Sequence, residues 1–176
     1  MDHNYLKLNL GCGKKSLSGY TNVDKILLPN VNLVFDLEKT PLPFKTNSVR
    51  EVRCDHVLEH IYNFIPLMEE LHRVCIPGGL IYISAPYYKY EGAYRDPTHV
   101  RFFTENTFYY FQESASLSHY TKVRFNVKNI SRGNCFHTDL RTSHKNIIKF
   151  IPFKKFLNLF LWNMYSEINY ELEVVK

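Results

Sequence analysis

The sequence predicts one α/β domain built on a mostly parallel sheet, and three observations carry that expectation. Short apolar or alternating runs recur from Tyr5 to Ala85, several of them ending on a glycine or a carboxylate. A stretch of helical apolar spacing lies between the last two of these runs. Turn residues stand at the joints between them.

Tyr5 to Leu10 alternates and stops at Gly11, which reads as the first strand. Tyr20 to Asp24 (YTNVD) and Leu33 to Asp36 (LVFD) are two further short strands, each closing on an aspartate. Only ten residues separate Gly13 from Asp24, so the helix that usually joins the first two strands is expected to shrink to a turn or a single coil. Val49 to Cys54 alternates again. From Val57 to Cys75, Leu58, Ile61, Ile65, Met68, Leu71 and Cys75 recur at helical intervals, with a break near Pro66, which belongs in the first turn of the main helix. Pro77-Gly78-Gly79 predicts a turn, and Leu80 to Ala85 (LIYISA) reads as a strand buried on both faces.

After Pro86 comes an aromatic-rich loop, YYKYEGAYRDPTHVRFF, of the length that carries function or covers something. Thr104 is placed to cap a short helix, TENTFYYF. Tyr120 to Ile130 reads as a strand with Val123, Phe125 and Val127 on one face, and Asn169 to Val175 as a terminal strand. Ile147 to Tyr165 reads as helical except at Pro152. Its second part, FKKFLNLFLWNMY, is apolar almost all round, so Phe156, Phe160 and Trp162 are expected to pack on the sheet or across a homodimer interface, out of lipid. The chain is expected to be one domain, residues 1–176, with a core over 5–113 and a C-terminal elaboration over 114–176.

With 176 residues, 45% hydrophobic and 22% charged, the chain can bury a substantial core. No run approaches the roughly 20 apolar residues that span a bilayer, and the N-terminus lacks the basic-then-apolar order of a signal peptide. The expected compartment is the cytoplasm. Cys12, Cys54, Cys75 and Cys135 are widely spaced with no CxxC pair, so they read as reduced, mostly buried thiols. The net charge of +5 is concentrated: residues 122–155 hold nine Lys or Arg against the single acid Asp139. Such a segment attracts phosphates or serves as a solvated face.

A strand ending in Gly-x-Gly brings backbone close to a ligand at the C-terminal edge of a parallel sheet. Lys14 and Lys15 follow where a pyrophosphate cradle would need a third glycine, so a dinucleotide is a poor fit. Asp24 can accept hydrogen bonds from two ribose hydroxyls, and Asp36-Leu37 can offer an acceptor and an apolar wall to an adenine. A ligand with a ribose, a base and no phosphate satisfies all three positions, which points to S-adenosylmethionine.

The blocks LNLGCGKKSLSGYTNVDK, DLEKTPLPFKTNSVREVRCDHVLEHI and LHRVCIPGGLIYISAP resemble the class I S-adenosylmethionine-dependent methyltransferases, in particular the small group in which GCG is followed quickly by GYxNVD. The resemblance covers residues 6–86 and extends loosely to DPTHVRFFT and the last strand. It implies a Rossmann-like sheet, mostly parallel with an antiparallel C-terminal strand and a shortened first helix. It also implies that Gly11, Cys12 and Gly13 flank the methionine part of the cofactor, that Asp24 binds the ribose, and that Asp36 and Leu37 border the adenine. Asp55 and His56 would lie beside the methionine amino group and the reactive methyl.

Methyl transfer needs alignment and water exclusion above all, and a base only where the acceptor carries a proton. His56 and His99 are the candidate bases, each weighed against a structural role. Glu59, His60, Tyr87 and Asp96 are the candidate acceptor contacts; Tyr87 could equally pack its loop onto the core, and Asp96 could stabilise an Asp-Pro turn. No metal is expected, because nothing in the spacing fixes the mutual geometry of His56, His60, Asp96 and His99. The leading function is methyl transfer to a small-molecule hydroxyl or amine. The alternatives are a non-catalytic S-adenosylmethionine-binding scaffold and an RNA methyltransferase using the basic 122–155 segment, nucleic acid being the less favoured partner.

Overall fold

The computed structural model describes residues 5–113, 118–133 and 152–176. Seven strands form one sheet in the order β3-β2-β1-β4-β5-β7-β6. They are β1 (Leu6–Leu10), β2 (Thr21–Asp24), β3 (Leu33–Val34), β4 (Val49–Asp55), β5 (Cys75–Pro86), β6 (Arg124–Gly133) and β7 (Glu167–Val175). The first five pair in parallel, and β7 runs antiparallel between β5 and β6. The late strands therefore complete the same sheet as the early ones, and the expected C-terminal elaboration supplies the strand next to β5.

The strand reversal from β1 to β4 opens a crevice at the C-terminal edge, because the connections leave toward opposite sides there. No helix joins β1 to β2. A three-asparagine network takes its place: Asn9 Nδ2 donates to the Lys15 carbonyl and to Asn22 Oδ1, Leu17 N–H donates to Asn22 Oδ1, and Asn22 N–H donates to Asn32 Oδ1, at 2.8 to 2.9 Å. Asn9 and Asn22 are buried, so these amides satisfy one another and the turn instead of water.

The helix α1 (Phe64–Val74) connects β4 to β5 and is the only α-helix longer than one turn among the described residues; α2 (Gly92–Arg95) and α3 (Lys154–Leu157) are single turns. A 3-10 turn, Leu58–His60, precedes α1, and the break falls at Ile61–Asn63, just before Pro66 enters the first turn as expected. Phe64, Leu67, Met68, Leu71 and Val74 form the buried face, whereas Ile65 is only half-buried. They join Leu8, Leu10, Val52, Ile81, Ile83, Tyr170 and Leu172 in one core. Phe103, Phe108 and Phe111, on the loop and 3-10 helix Thr107–Phe111, extend that core to Phe125 and Tyr170.

The other face of the sheet is polar and corrects the reading of Leu80 to Ala85. Ile81, Ile83 and Ala85 are buried, but Leu80, Tyr82 and Ser84 are only partly so. Their neighbours on that face are Glu51, Arg53 and Asp55 of β4 and Asn169, Glu171 and Glu173 of β7. Charges cover it: Lys7 pairs with Glu51 at 3.0 Å, Arg53 pairs with Glu51 at 3.2 Å, and Arg53 lies 4.6 Å from the centre of the Tyr82 ring. The Pro77-Gly78-Gly79 segment is a bulge within β5, across which the ladder steps from Val49↔Cys75 to Glu51↔Leu80.

The segment FKKFLNLFLWNMY departs most from expectation. Only the turn α3 is helical, and Phe156, Phe160 and Trp162 are 59, 70 and 53% exposed, so they do not pack on the sheet. Phe153 and Asn163 take positive φ, which interrupts the helix at both ends. The part of the expected helix at 147–151 lies outside the described residues, as does Cys135. Cys12, Cys54 and Cys75 are buried and free, and burial pushes all three thiols up.

Candidate active site

The end of β1 is shaped by Gly11. Its φ of +63° suits glycine, and a Cβ there would stand 2.3 Å from Val57 Cγ2. Gly13 follows at φ +50°, with open space where a Cβ would project. Its N–H donates to Asp24 Oδ2 at 2.8 Å, and Ile26 N–H donates to Asp24 Oδ1 at 2.9 Å. Each Asp24 oxygen thus keeps acceptor capacity beyond these contacts. Glu38 N–H donates to Asp36 Oδ1, which turns the chain after β3 and leaves Leu37 in the wall.

Three cavities meet at the sheet edge. One of about 670 Å³ is lined by Gly11, Asp24, Phe35, Asp36, Leu37, His56, Val57 and His60. A second, about 540 Å³, lies over the polar sheet face and is lined by Gly11, Cys12, Lys15, Asp55, His56, Ser84 and Glu167, among others. The third, about 550 Å³, is lined by Lys15, His56, Tyr90, Arg95, Asp96, His99 and Ser166. His56 borders all three, and Lys15 forms an ion pair with Asp55 at 3.2 Å where the second and third adjoin.

His56 has φ +53°, an uncommon conformation for a non-glycine residue, held by its N–H donating to the Ser84 carbonyl. Its Nε2 lies 3.0 Å from Glu167 Oε2, and its Nδ1 lies 3.3 Å from Glu59 Oε1. Both ring nitrogens therefore face carboxylates, which positions the imidazole firmly. Glu167 is a site residue that sequence reading missed. Its one signal is the alternation of the last strand, and that does not reveal that β7 lies against β5.

His99 lines the third cavity, with Nδ1 2.9 Å from the Ala93 carbonyl and Nε2 3.9 Å from Asp96 Oδ2. Hydrogen bonds from the Thr98 hydroxyl and N–H hold the Asp96 carboxyl below its usual range. Glu59 is buried against His56 and is not among the residues lining these three cavities; His60 lines the first cavity instead of the third. Asp55 lines the second cavity, apart from Asp24 and Asp36.

Tyr87 is not among the residues lining these three cavities and packs into the core, the alternative weighed for it above. It is 1% exposed, its hydroxyl donates to Glu105 Oε1 at 2.9 Å and accepts from Asn158 Nδ2, and burial pushes its pKa up to about 12. A large aromatic whose hydroxyl finds partners inside gains more from the core than from a solvated wall. Tyr90 takes the cavity position.

The strand order, the glycine turn and the carboxylates ending β2 and following β3 define the class: this is the class I, Rossmann-like methyltransferase fold. The Methyltransferase domain family matches residues 20–83. A S-adenosylmethionine-dependent methyltransferase from Archaeoglobus fulgidus is similar in structure, with 17% identity, 96% of this chain and 86% of that chain covered, and a TM-score of 0.62. The YcgJ protein of Bacillus subtilis gives 14%, 99%, 93% and 0.61. A chain from the complex of the Haloferax volcanii Trm112 methyltransferase activator with a methyltransferase gives 12%, 99%, 84% and 0.60. No curated protein matches in sequence. The family match supports S-adenosylmethionine as the cofactor, and no helix among the described residues is long and apolar enough to cross a membrane.

Proposed function

We propose that the chain is a S-adenosylmethionine-dependent methyltransferase acting on a hydroxyl or amine of a small molecule. The observation that carries this reading is the meeting of three cavities at His56, one with the carboxylates of Asp24 and Asp36 in its wall and one with the base candidate His99. Asp24 would hold the ribose and Asp36 with Leu37 would border the adenine. Gly11, Cys12 and Gly13 would flank the methionine part, whose ammonium and carboxylate match the Asp55 and Lys15 charges. The cofactor supplies an electrophilic methyl group on a sulfonium.

The chain's own residues would then align an acceptor in the cavity of Arg95, Asp96 and His99, exclude water, and take the acceptor's proton at His56 or His99. The described part of the basic segment argues less for RNA. Lys128 pairs with Glu173, Arg132 with Glu105, and Arg124 donates to the Thr121 and Val123 carbonyls. Phosphate contacts would have to compete with these. A homodimer through the exposed Phe156, Phe160 and Trp162 is proposed on their exposure, and sedimentation velocity tests it: a monomer at all concentrations removes it.

The test of function is binding followed by turnover. S-adenosylmethionine or S-adenosylhomocysteine should raise the melting temperature, and Asp24→Ala should weaken binding by about 1.5 to 3 kcal/mol, roughly 10- to 150-fold. Equal stabilisation by NAD would overturn the cofactor assignment. Binding without S-adenosylhomocysteine formation across hydroxyl and amine acceptor panels would favour a non-catalytic scaffold.

A further inference from the structure

Glu59, His60 and His99 are brought together by the docking of the loop after β5. Val100 and Arg101 N–H both donate to the Glu59 carbonyl, at 2.8 and 3.2 Å, which seats that loop on the 3-10 turn Leu58–His60. One ligating atom from each of the three residues then lies within 4.8 Å of the other two, and the two imidazole centres are 4.8 Å apart, edge to face.

The hydrogen bonds set the tautomers. The Ala93 carbonyl can only accept, so His99 Nδ1 carries the proton and Nε2 of the neutral ring keeps its lone pair. The Thr98 hydroxyl donates to Asp96 Oδ1 at 2.6 Å, so it accepts from His60 Nδ1 at 2.8 Å, and the same holds for that ring. Anchored Nδ1–H groups with Nε2 left as a ligand are the outer-shell pattern of metal-binding histidines. Glu59 adds a second, independent observation. It is 1% exposed, its Oε1 meets His56, and its Oε2 has no hydrogen-bond partner among the described residues. A buried carboxylate oxygen left so is costly unless a cation or a donor meets it.

We propose that Glu59, His60 and His99 bind one divalent first-row transition ion, zinc foremost, with its remaining coordination open toward the cavity lined by Asp96 and His99. Two imidazoles and one carboxylate are the ligand set of open zinc and non-haem iron sites. Bonds of about 2.0 to 2.1 Å in a tetrahedral arrangement put ligand atoms about 3.4 Å apart. From separations of up to 4.8 Å between one candidate ligand atom per residue, closing to that geometry takes a contraction of about 1.4 Å, which side-chain rotation can supply. The ion would stand between the wall of the cofactor cavity, where His60 lies, and that of the acceptor cavity, where His99 lies. With its Nε2 on the ion and its Nδ1–H on the Ala93 carbonyl, His99 could not take an acceptor's proton, which would leave His56 as the base candidate of the proposed methyl transfer.

Untagged protein, stripped with a chelator and dialysed against zinc, should retain about one equivalent per chain by elemental analysis, with a raised melting temperature. Cobalt(II) in its place should give visible d–d bands without thiolate charge transfer. His60→Ala, at a half-buried position outside the core, should lower zinc affinity at least about 100-fold, and Thr98→Ala about 10- to 100-fold as the loss of an outer-shell partner. Retention of less than about a tenth of an equivalent by the unaltered protein overturns the proposal. So does unchanged affinity in a folded His60→Ala variant, or a thiolate-type cobalt spectrum.

Discussion

Gly11 shows how one backbone position carries a site. Its positive φ and the 2.3 Å approach of Val57 Cγ2 to an added Cβ are separate obstacles to a side chain. Gly11→Ala should cost about 1 to 2 kcal/mol for the left-handed conformation alone, and more for the clash. Adding Val57→Ala should restore only the second part, as read by denaturant unfolding of both variants; full recovery would show that conformation contributes nothing. Glu70 offers a pH test. Its hydrogen bonds with the Arg73 guanidinium hold its carboxyl below the usual 4.5, and it also accepts from Leu42 N–H. A depressed folded pKa adds stability that is present above the unfolded value and is lost as pH falls through the lower folded one. Glu70→Gln should therefore reduce stability by about 1 to 3 kcal/mol near neutrality and by progressively less below about pH 4; a loss independent of pH would rule out the charge.

At the level of elements, the joint between β1 and β2 replaces a helix with side-chain amides. Asn22 alone accepts from Asn9 and Leu17 and donates to the Leu17 carbonyl and Asn32, so its removal strands several buried polar groups at once. Asn22→Ala should destabilise by about 2 to 4 kcal/mol, and because Gly13 lies in the same turn it should weaken cofactor binding as well. Calorimetric titration beside thermal melts checks both; unaltered binding would mean that the turn is held by its backbone. The shortness of this joint was legible from the ten residues between Gly13 and Asp24. The asparagines that hold it were not, because Asn9, Asn22 and Asn32 belong to three separate segments that meet only through strand pairing.

For the whole molecule, the contrast is between a closed apolar face of the sheet and exposed aromatics near the C-terminus. Phe108 is fully buried among Phe64, Phe103, Phe111 and Tyr170, so Phe108→Ala should cost about 3 to 5 kcal/mol. Phe160, 70% exposed, should change stability by no more than about 0.5 kcal/mol as Phe160→Ser. Parallel urea titrations separate the two. A comparable loss at Phe160 would show that this side chain is covered in solution.

The strands, the glycine turn, the carboxylates at positions 24 and 36 and the main helix were legible in the sequence because each is a property of one contiguous segment: alternation, helical spacing, or a position that tolerates positive φ. What only the tertiary structure decided is which segments meet. Glu167 faces His56 across 111 residues because β7 inserts beside β5, and Tyr87 is buried because Glu105 and Asn158 receive its hydroxyl. The apolar run after Pro152 read as a buried helix because composition reports what could be buried, and its exposure follows from how the chain around it is placed. His60 and His99 are neighbours for the same reason: backbone N–H groups of Val100 and Arg101, the Thr98 hydroxyl and the Arg101 guanidinium join their loops across about 40 residues, and no pattern within one segment announces that meeting.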